Sequence, residues 1–362
     1  MTKKKNVGML SFWGNARGLP YITLAYAKML QGEYDIHILK QGTNEINPEF
    51  KTVDVNITEV PNYNVDKEVF KKWIVDNKID VLIMNEYNQW SNDGQNLVAE
   101  ANKLGVKTYG YLVWEKFTNK EDYKDYDRII APTLSYKRFL RQEKIRNFTY
   151  LPYSIDLSEF PEKNWKEKRD ETKPFTFLHI GGCLGVKERK NTKNVIEAFK
   201  LLNIPNTKLI VTTQLDIKEV KGLPDNVDFI SKDLSREEVI KYYYEADCVV
   251  LPSKFETVGI PILEALASGV PVITTDYPPM NEFINTGTNG YLCKPKLVRY
   301  EGININVAEV DPIEIKQKME NVMNPLLLPI LKNNSRYIVE ESYSLEKNKK
   351  YFLDFLKKEL GE

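Results

Sequence analysis

The sequence has few of the residues that most often carry metal and proton-transfer chemistry. Its 362 residues include two histidines, His37 and His179, which argues against histidine-rich zinc sites and multi-histidine proton relays. The three cysteines, Cys183, Cys248 and Cys293, are an odd number at wide spacing. This pattern favours a reducing cytoplasm over a disulfide framework or a zinc knuckle.

Long apolar runs and net charge are also missing. No apolar stretch approaches the ~20 residues that a membrane-spanning helix needs, and the run Val7–Phe12 after the start is too short for a signal-peptide core. Lys plus Arg and Asp plus Glu both number 51, so no overall positive field is available to bind nucleic acid. We therefore expect a cytoplasmic protein without a nucleic-acid partner.

The composition is that of an ordinary globular protein, with 42% apolar and 28% charged residues. Short runs rich in Val, Ile, Leu and Tyr alternate with helical patterns along the chain, which is typical of parallel sheets covered on both faces. The length predicts two domains. The expected fold is α/β, with two tandem Rossmann-like domains facing across a cleft. The predicted boundaries are 1–152 for the first domain, 153–173 for a linker, 174–340 for the second domain and 341–362 for a C-terminal helix that packs back on the first domain.

The segment from Leu251 to Thr274 is the most informative part of the sequence. A buried strand ends near Pro252, a loop follows, and a helix is predicted to begin near Pro261 and to end before Gly269. The loop residues Thr257, Val258, Gly259 and Ile260 would then present backbone N–H groups at the positive end of the helix dipole, which suits an anionic ligand.

This segment resembles the GT-B glycosyltransferases that use nucleotide sugars, specifically the retaining family 4, or group 1, type. Glu256 and Glu264 match the E-x7-E motif of that family. The match continues in order along the chain, through Leu151–Phe160, Asp247, Ser253–Gly259, Ala265–Ile273 and Asn281–Leu292.

The resemblance implies roles for both glutamates. Glu264 would accept hydrogen bonds from the ribose of the donor, and Glu256 would hold hydroxyls of the donor sugar near the anomeric carbon. The simpler alternatives are a solvated helix residue for Glu264 and a helix-capping carboxylate for Glu256.

A second loop resembles the family segment whose cations face the donor diphosphate. It runs from Gly181 to Asn191, and Lys190 matches the family lysine. The family arginine is absent, because Gly182 and Cys183 occupy its place, so we expect Arg189 or Lys187 to replace it. Fixed cations there would stabilise the charge that grows on the leaving diphosphate. The alternative for Arg189 is a solvated loop residue.

Two parts of the first domain are candidates for contact with the donor or the acceptor. Gly14, Asn15 and Arg17 follow the first predicted strand, where the family usually has a pair of glycines. Trp114 and Glu115 stand where many members have a histidine that faces the donor sugar. We expect Glu115 to face the reacting sugar and Trp114 to shape the acceptor side. The alternative places Trp114 in the core and Glu115 in solvent.

For two further patterns, a structural or solvated role is favoured over a functional one. Asp125-Tyr-Asp127 imitates a metal-binding D-x-D motif, but it more simply precedes a strand, so no metal site is expected. The basic stretch of Lys137, Arg138, Arg141, Lys144 and Arg146 is predicted to be helical. A solvated face is favoured there, with peripheral contact to anionic lipid as the alternative.

The sequence therefore predicts a retaining, metal-independent glycosyltransferase without a cofactor. It would transfer a sugar from a nucleotide diphosphate sugar to a hydroxyl of a saccharide, lipid or other acceptor. The catalytic candidates are Glu256, Lys190 and Glu115. A sugar-nucleotide epimerase of the same fold and a catalytically inactive sugar-nucleotide-binding protein are the alternatives.

Overall fold

The chain divides into two compact units, one formed by Met1–Ser154 with Leu345–Glu362 and the other by Ile155–Ser344. The computed structural model describes residues 4–15, 18–85, 95–112, 117, 120–163, 169–182, 189–214, 222–299 and 306–362.

The first unit is built on a seven-stranded parallel sheet. Its strands are β1 (Asn6–Ser11), β2 (Asp35–Gln41), β3 (Asn56–Val60), β4 (Val81–Asn85), β5 (Lys107–Tyr111), β6 (Arg128–Ala131) and β7 (Phe148–Tyr150). They lie in the order β3-β2-β1-β4-β5-β6-β7. The chain thus reverses its direction of winding between β1 and β4, as in a Rossmann fold.

Four helices in the described part of this unit connect these strands, and side chains cap the starts of three of them. They are α1 (Gly18–Leu30), α2 (Lys67–Asp76), α3 (Leu97–Lys103) and α4 (Leu134–Gln142). Asp66, Asn96 and Thr133 cap α2, α3 and α4 by accepting hydrogen bonds from backbone N–H groups of the first turn. Gly8 allows α2 to approach β1, because a Cβ there would lie 2.6 Å from the indole of Trp73.

The second unit has the same winding on a six-stranded parallel sheet. Its strands are β8 (Phe175–Gly182), β9 (Thr207–Thr213), β10 (Val227–Ser231), β11 (Cys248–Leu251), β12 (Val272–Thr275) and β13 (Gly290–Cys293), and an antiparallel pair, β14 (Lys296–Arg299) and β15 (Asn306–Glu309), follows. The order in the sheet is β10-β9-β8-β11-β12-β13, so the reversal lies between β8 and β11. Open parallel sheets bind ligands beyond the carboxyl ends of the strands at such a reversal.

The helices described in the second unit are α5 (Thr192–Leu202), α6 (Arg236–Glu245), α7 (Ile260–Ala267), α8 (Pro312–Val322) and α9 (Leu328–Ser342). Two Rossmann-like α/β units confirm the expected fold class. Within the described part of the chain, every helix falls short of the length and apolarity that a membrane span requires.

The last helix, α10 (Leu345–Leu360), packs on the first unit. The Phe352 ring lies 5.4 Å from that of Tyr26, and Phe355 makes an edge contact with Tyr109 at 5.5 Å between ring centroids. Aromatic contacts of this kind add to the burial that holds an amphipathic helix in place.

The basic residues 137–146 were predicted to lie in one helical stretch, and this prediction is wrong for the residues after Gln142. Helix α4 ends at Gln142, and Lys144 adopts the left-handed region with φ 60°. The amide of Ile145 then bonds to the carbonyl oxygen of Leu140 at 2.9 Å, and the Ile145 side chain is buried. Burial of this apolar residue turns the chain, so Lys144 and Arg146 lie outside the helix.

Candidate active site in the second unit

The loop after β11 leads directly into α7. Gly259 begins this helix with φ 86°, which is the left-handed region that glycine adopts without strain, and a Cβ there would lie 3.1 Å from the Ile262 side chain. Pro261 stands in the first turn, and Gly269, with φ 67°, follows the last turn. The helix predicted between these two residues is therefore confirmed.

Hydrogen bonds hold this loop against the segment that follows β8. The amide of Lys254 donates to the carbonyl oxygen of Arg189 at 2.8 Å. The two loops that were singled out from the sequence thus meet at the carboxyl edge of the sheet, at the reversal between β8 and β11.

Glu256 lies between two cations. One carboxylate oxygen accepts from Lys190 Nζ and the other from Arg189 Nη1, each at 2.5 Å. Glu256 is only 4% exposed, and burial raises the pKa of its carboxyl, but the charges of Arg189 and Lys190 outweigh burial and lower the pKa to about 2. Glu256 is therefore ionised at neutral pH.

The three side chains together carry one net positive charge. Lys190 is buried, and burial lowers its pKa, an effect that Glu256 opposes and Arg189 reinforces. The guanidinium of Arg189 also lies over the ring of Phe255, with 5.7 Å to the centroid. A buried cluster with surplus positive charge stabilises an anion placed beside it far more than the same charges do in water.

Glu264 lies just over one turn inside α7 and is also buried. The Arg236 guanidinium donates to one oxygen of its carboxylate, and the Tyr243 hydroxyl donates to the other at 2.9 Å. Burial and the neighbouring Glu264 raise the pKa of Tyr243, so its hydroxyl stays protonated and remains a donor.

Sequence reasoning missed these two partners of Glu264 and a third residue behind them. Glu159 accepts a hydrogen bond from Arg236 Nε at 2.9 Å. Arg236 and Tyr243 are seven residues apart in α6, which places both on one face of that helix. This spacing was a usable signal, but nothing in the sequence indicates which element that face contacts.

His179 lies fully buried in β8 and serves the structure. Its Nδ1 is 2.7 Å from the carbonyl oxygen of Val250, which can only accept, so Nδ1 carries the proton. Its Nε2 accepts from the Thr192 hydroxyl at 2.8 Å. Burial lowers the pKa of His179 to about 4 against the opposing effect of the Val250 bond, and the charge of Lys190 lowers it further. The ring is therefore neutral at pH 7.

The remaining residues predicted to bind the donor lie around these side chains. Gly182, with φ 64°, ends β8, and its carbonyl oxygen accepts from the Thr213 hydroxyl at 3.2 Å. Thr257 and Ile260 are half-buried and Val258 is buried at the start of α7. The structure thus brings Gly182, Arg189, Lys190, Glu256 and residues 257–260 to one edge of the sheet.

The residues predicted in the first unit are only partly described. A Cβ at Gly14 would lie 2.6 Å from the Cα of Ile46, so close packing explains this glycine. The amide of Asn15 bonds to the carbonyl oxygen of Phe12 at 3.2 Å. Arg17, Trp114 and Glu115 lie outside the described residues, and their roles stay predictions.

The carboxylates of the D-x-D sequence have protein partners. Asp125 accepts from the Asn96 side chain at 2.6 Å, and Asp127 accepts from the Thr108 amide at 2.9 Å. Among the residues that the structure describes, no three carboxylate, histidine or cysteine side chains come together as metal ligands do.

Part of the chain is similar to known glycosyltransferases. Residues 161–310 match the family model described as glycosyl transferases group 1. A relative named uncharacterized glycosyltransferase 335, from Sulfolobus islandicus rod-shaped virus 1, is 30% identical over 142 residues, which are 37% of this chain and 42% of that protein. Alpha-monoglucosyldiacylglycerol synthase of Streptococcus pneumoniae is 25% identical over 61% of this chain and 52% of that protein. The chain thus spans about half or less of the length of these relatives.

Solved structures share the fold over the whole chain. HepE of Anabaena, solved with UDP and glucose, superposes with a TM-score of 0.73 at 14% identity and covers 98% of this chain and 100% of that one. Sucrose-phosphate synthase of Thermosynechococcus elongatus gives a TM-score of 0.72 at 15% identity, with 99% and 100% covered. At such identities the likeness shows the fold alone.

The two Rossmann-like units define a protein of the GT-B fold. Within it, residues 161–310 are similar to the glycosyl transferases group 1 family.

Proposed function

We propose that this chain is a retaining glycosyltransferase that transfers a sugar from a nucleotide diphosphate sugar to an acceptor hydroxyl. The observation that carries the proposal is the buried cluster of Glu256, Arg189 and Lys190 at the carboxyl edge of the second sheet. Its surplus positive charge suits a diphosphate, and its carboxylate suits sugar hydroxyls. The family match over residues 161–310 supports the same assignment.

The reaction breaks the bond between the anomeric carbon and the donor phosphate oxygen and forms a bond to the acceptor oxygen. The leaving diphosphate gains negative charge as its bond breaks, and Lys190 and Arg189 stabilise that charge. The acceptor hydroxyl transfers its proton to an oxygen of the leaving diphosphate on the same face of the sugar, which retains the anomeric configuration. Lys190 and Arg189 would neutralise the diphosphate as a bound metal ion does in other enzymes. No metal is therefore expected to be needed.

The other predicted residues bind or orient the two substrates. Glu264 accepts from the donor ribose, and Gly182 with residues 257–260 lines the donor phosphates. Glu115 faces the reacting sugar, Trp114 shapes the acceptor side, and the loop of Gly14, Asn15 and Arg17 contacts either substrate. The acceptor is a saccharide, a lipid or another hydroxyl compound. One relative is named for a glucosyldiacylglycerol product and another, of Salmonella typhimurium, as an O-antigen chain mannosyltransferase.

A cytoplasmic enzyme that acts on a lipid acceptor would also touch a membrane surface. The first unit offers Lys137 and Arg141 of α4, which lie over the rings of Tyr150 and Phe148 at 5.3 Å and 5.9 Å from the centroids. Cosedimentation with phosphatidylglycerol vesicles and with neutral phosphatidylcholine vesicles tests this contact. Binding to neither would leave a solvated face.

The test of the proposed function is release of nucleoside diphosphate that depends on an acceptor. UDP-, GDP- and ADP-glucose are each incubated with the protein and a panel of saccharide and diacylglycerol acceptors, and the product is analysed by proton NMR. We expect transfer with the anomeric configuration of the donor. Inversion would refute the retaining mechanism. Epimerised donor without an acceptor would indicate the epimerase, and binding without turnover would indicate the inactive binding protein.

A further inference from the structure

Arg236 is held by contacts on several sides next to Glu264. It opens α6 directly after Ser235, and Ser235 and Glu238 form a reciprocal capping box that fixes the first turn of this helix. The Arg236 side chain is 15% exposed. Its guanidinium lies over the Phe160 ring at 5.3 Å from the centroid, and its Nε donates to Glu159. Contacts on three sides leave the guanidinium little freedom to rotate.

The carboxylate of Glu264 is in turn held at both oxygens. Arg236 Nη1 donates to Oε1, and the Tyr243 hydroxyl donates to Oε2 at 2.9 Å. An ionised carboxylate accepts about four hydrogen bonds, two at each oxygen. Arg236 and Tyr243 use one site on each oxygen, so each oxygen retains one acceptor site at a fixed position.

Two acceptor sites on one rigid carboxylate are complementary to a pair of neighbouring hydroxyls. The 2′- and 3′-hydroxyls of a ribose are such a pair, on the same side of the ring. If the ligand lacks one of the two hydroxyls, one buried acceptor site of the carboxylate is left without a partner. A carboxylate fixed in this way therefore discriminates strongly against such a ligand.

We infer that Arg236, held by Glu159 and Phe160, is a positioning residue that fixes the Glu264 carboxylate for recognition of a ribose diol, so that this site selects ribonucleotides over 2′-deoxyribonucleotides. The inference rests on the proposed function, in which Glu264 meets the donor ribose. Arg236 acts through Glu264 and is not itself a catalytic residue.

The test is the ratio of two dissociation constants, for dUDP and for UDP, measured by calorimetric titration; the GDP and ADP pairs are run in the same way. In the wild type we expect a ratio of at least about ten. Arg236→Met should raise the UDP constant about tenfold and leave the dUDP constant within about twofold, so the ratio falls towards one. Arg236→Lys should restore part of the ratio, because it keeps one donor. Glu159→Gln should give an intermediate ratio.

A matched control is available in the same unit. Arg169 lies over the Phe175 ring at 5.3 Å and donates to Asp247 through Nε at 2.9 Å, with 21% of its side chain exposed. Arg169→Met removes an arginine with the same kinds of contact away from Glu264, so it should lower the melting temperature without changing the ratio. Circular dichroism shows whether each variant is folded. If Arg236→Met is not folded, the two single variants Arg236→Lys and Glu159→Gln replace it in the test.

The possible results separate this inference from the proposed function. No binding of any of the nucleotides by the wild type would overturn both. Binding with a ratio near one would overturn the diol recognition and leave a transferase standing. A wild-type ratio in folded Arg236→Met would overturn the role of Arg236. If that variant does not fold, a wild-type ratio in both Arg236→Lys and Glu159→Gln would do so. A fall of the ratio in Arg169→Met as large as in the Arg236 variant would also overturn it.

Discussion

Replacing Lys190 with alanine should slow sugar transfer far more than it weakens donor binding. Lys190 Nζ is 2.5 Å from Glu256 in a buried cluster. In the proposed reaction, its fixed charge would act in a low dielectric on the growing charge of the leaving diphosphate. Removal of one such group from a comparable site costs about 3 kcal/mol of transition-state stabilisation, a decrease in kcat of about 100-fold. The donor KM should rise by much less, because the charge is smaller in the ground state.

The fold should survive this substitution. Arg189 still pairs with the other oxygen of Glu256 at 2.5 Å, so the carboxylate does not become an unpaired buried charge. The cost to the free energy of unfolding is then that of one lost hydrogen bond to a charged group, about 1.5–3 kcal/mol.

The chain contains a matched control for Lys190. Asp247 is also a buried carboxylate shared between a lysine and an arginine: Lys332 Nζ donates to one oxygen at 3.0 Å and Arg169 Nε to the other at 2.9 Å. Lys332→Ala should therefore cost similar stability and leave kcat unchanged. Steady-state kinetics with varied donor concentration and thermal unfolding of both variants provide the comparison. An unchanged kcat with a raised KM in Lys190→Ala, or an equal loss of kcat in Lys332→Ala, would refute the reasoning.

Three further predictions follow from the other residues. Glu264→Gln should weaken binding of the free nucleoside diphosphate at least about tenfold, because a charged acceptor to hydroxyls is lost; calorimetric titration with unchanged affinity would remove Glu264 from the site. Glu115→Gln should reduce kcat at least about tenfold, or about 1.4 kcal/mol of barrier, with a nearly unchanged melting temperature; wild-type turnover would contradict this. The buried His179 has a pKa of about 4, below its ordinary 6.5, so the unfolded chain binds the proton more tightly. Its contribution to stability is complete above pH 6.5 and is lost as pH falls towards 4, by about 3 kcal/mol. Denaturant unfolding of wild type and His179→Asn at several pH values should show a smaller pH dependence in the variant, and equal slopes would exclude this histidine as the cause.

The fold class could be predicted because the central strands are almost wholly apolar. β4 and β11 are buried nearly throughout, and such runs are readable without knowledge of their neighbours. β3 has no such apolar run, because four of its five residues are exposed. It exists because β2 pairs with it along the edge of the sheet, and this tertiary contact leaves no apolar pattern in the sequence.

Residues of the candidate site could be selected from the sequence where they belong to an ordered motif. Glu256, Glu264 and Lys190 were selected in this way, Arg189 was one of two alternatives for the missing family arginine, and the roles of all four stay predictions. Arg236 and Glu159 could not be found, because they meet Glu264 only after three separate segments have folded together. A charged residue at the first position of a helix is ordinarily solvated, so the seven-residue spacing of Arg236 and Tyr243 did not by itself indicate a contact with Glu264.

The central claim is that the second unit holds the nucleotide of the donor. Hydrogen–deuterium exchange, measured by mass spectrometry with and without a saturating nucleoside diphosphate, tests it most directly. The account predicts slower exchange in peptides that cover residues 189–194, 236–243 and 253–264, and a smaller effect after Glu264→Gln. Protection confined to peptides from residues 4–112 of the first unit, or the same exchange with and without bound nucleotide throughout the second unit, would contradict it.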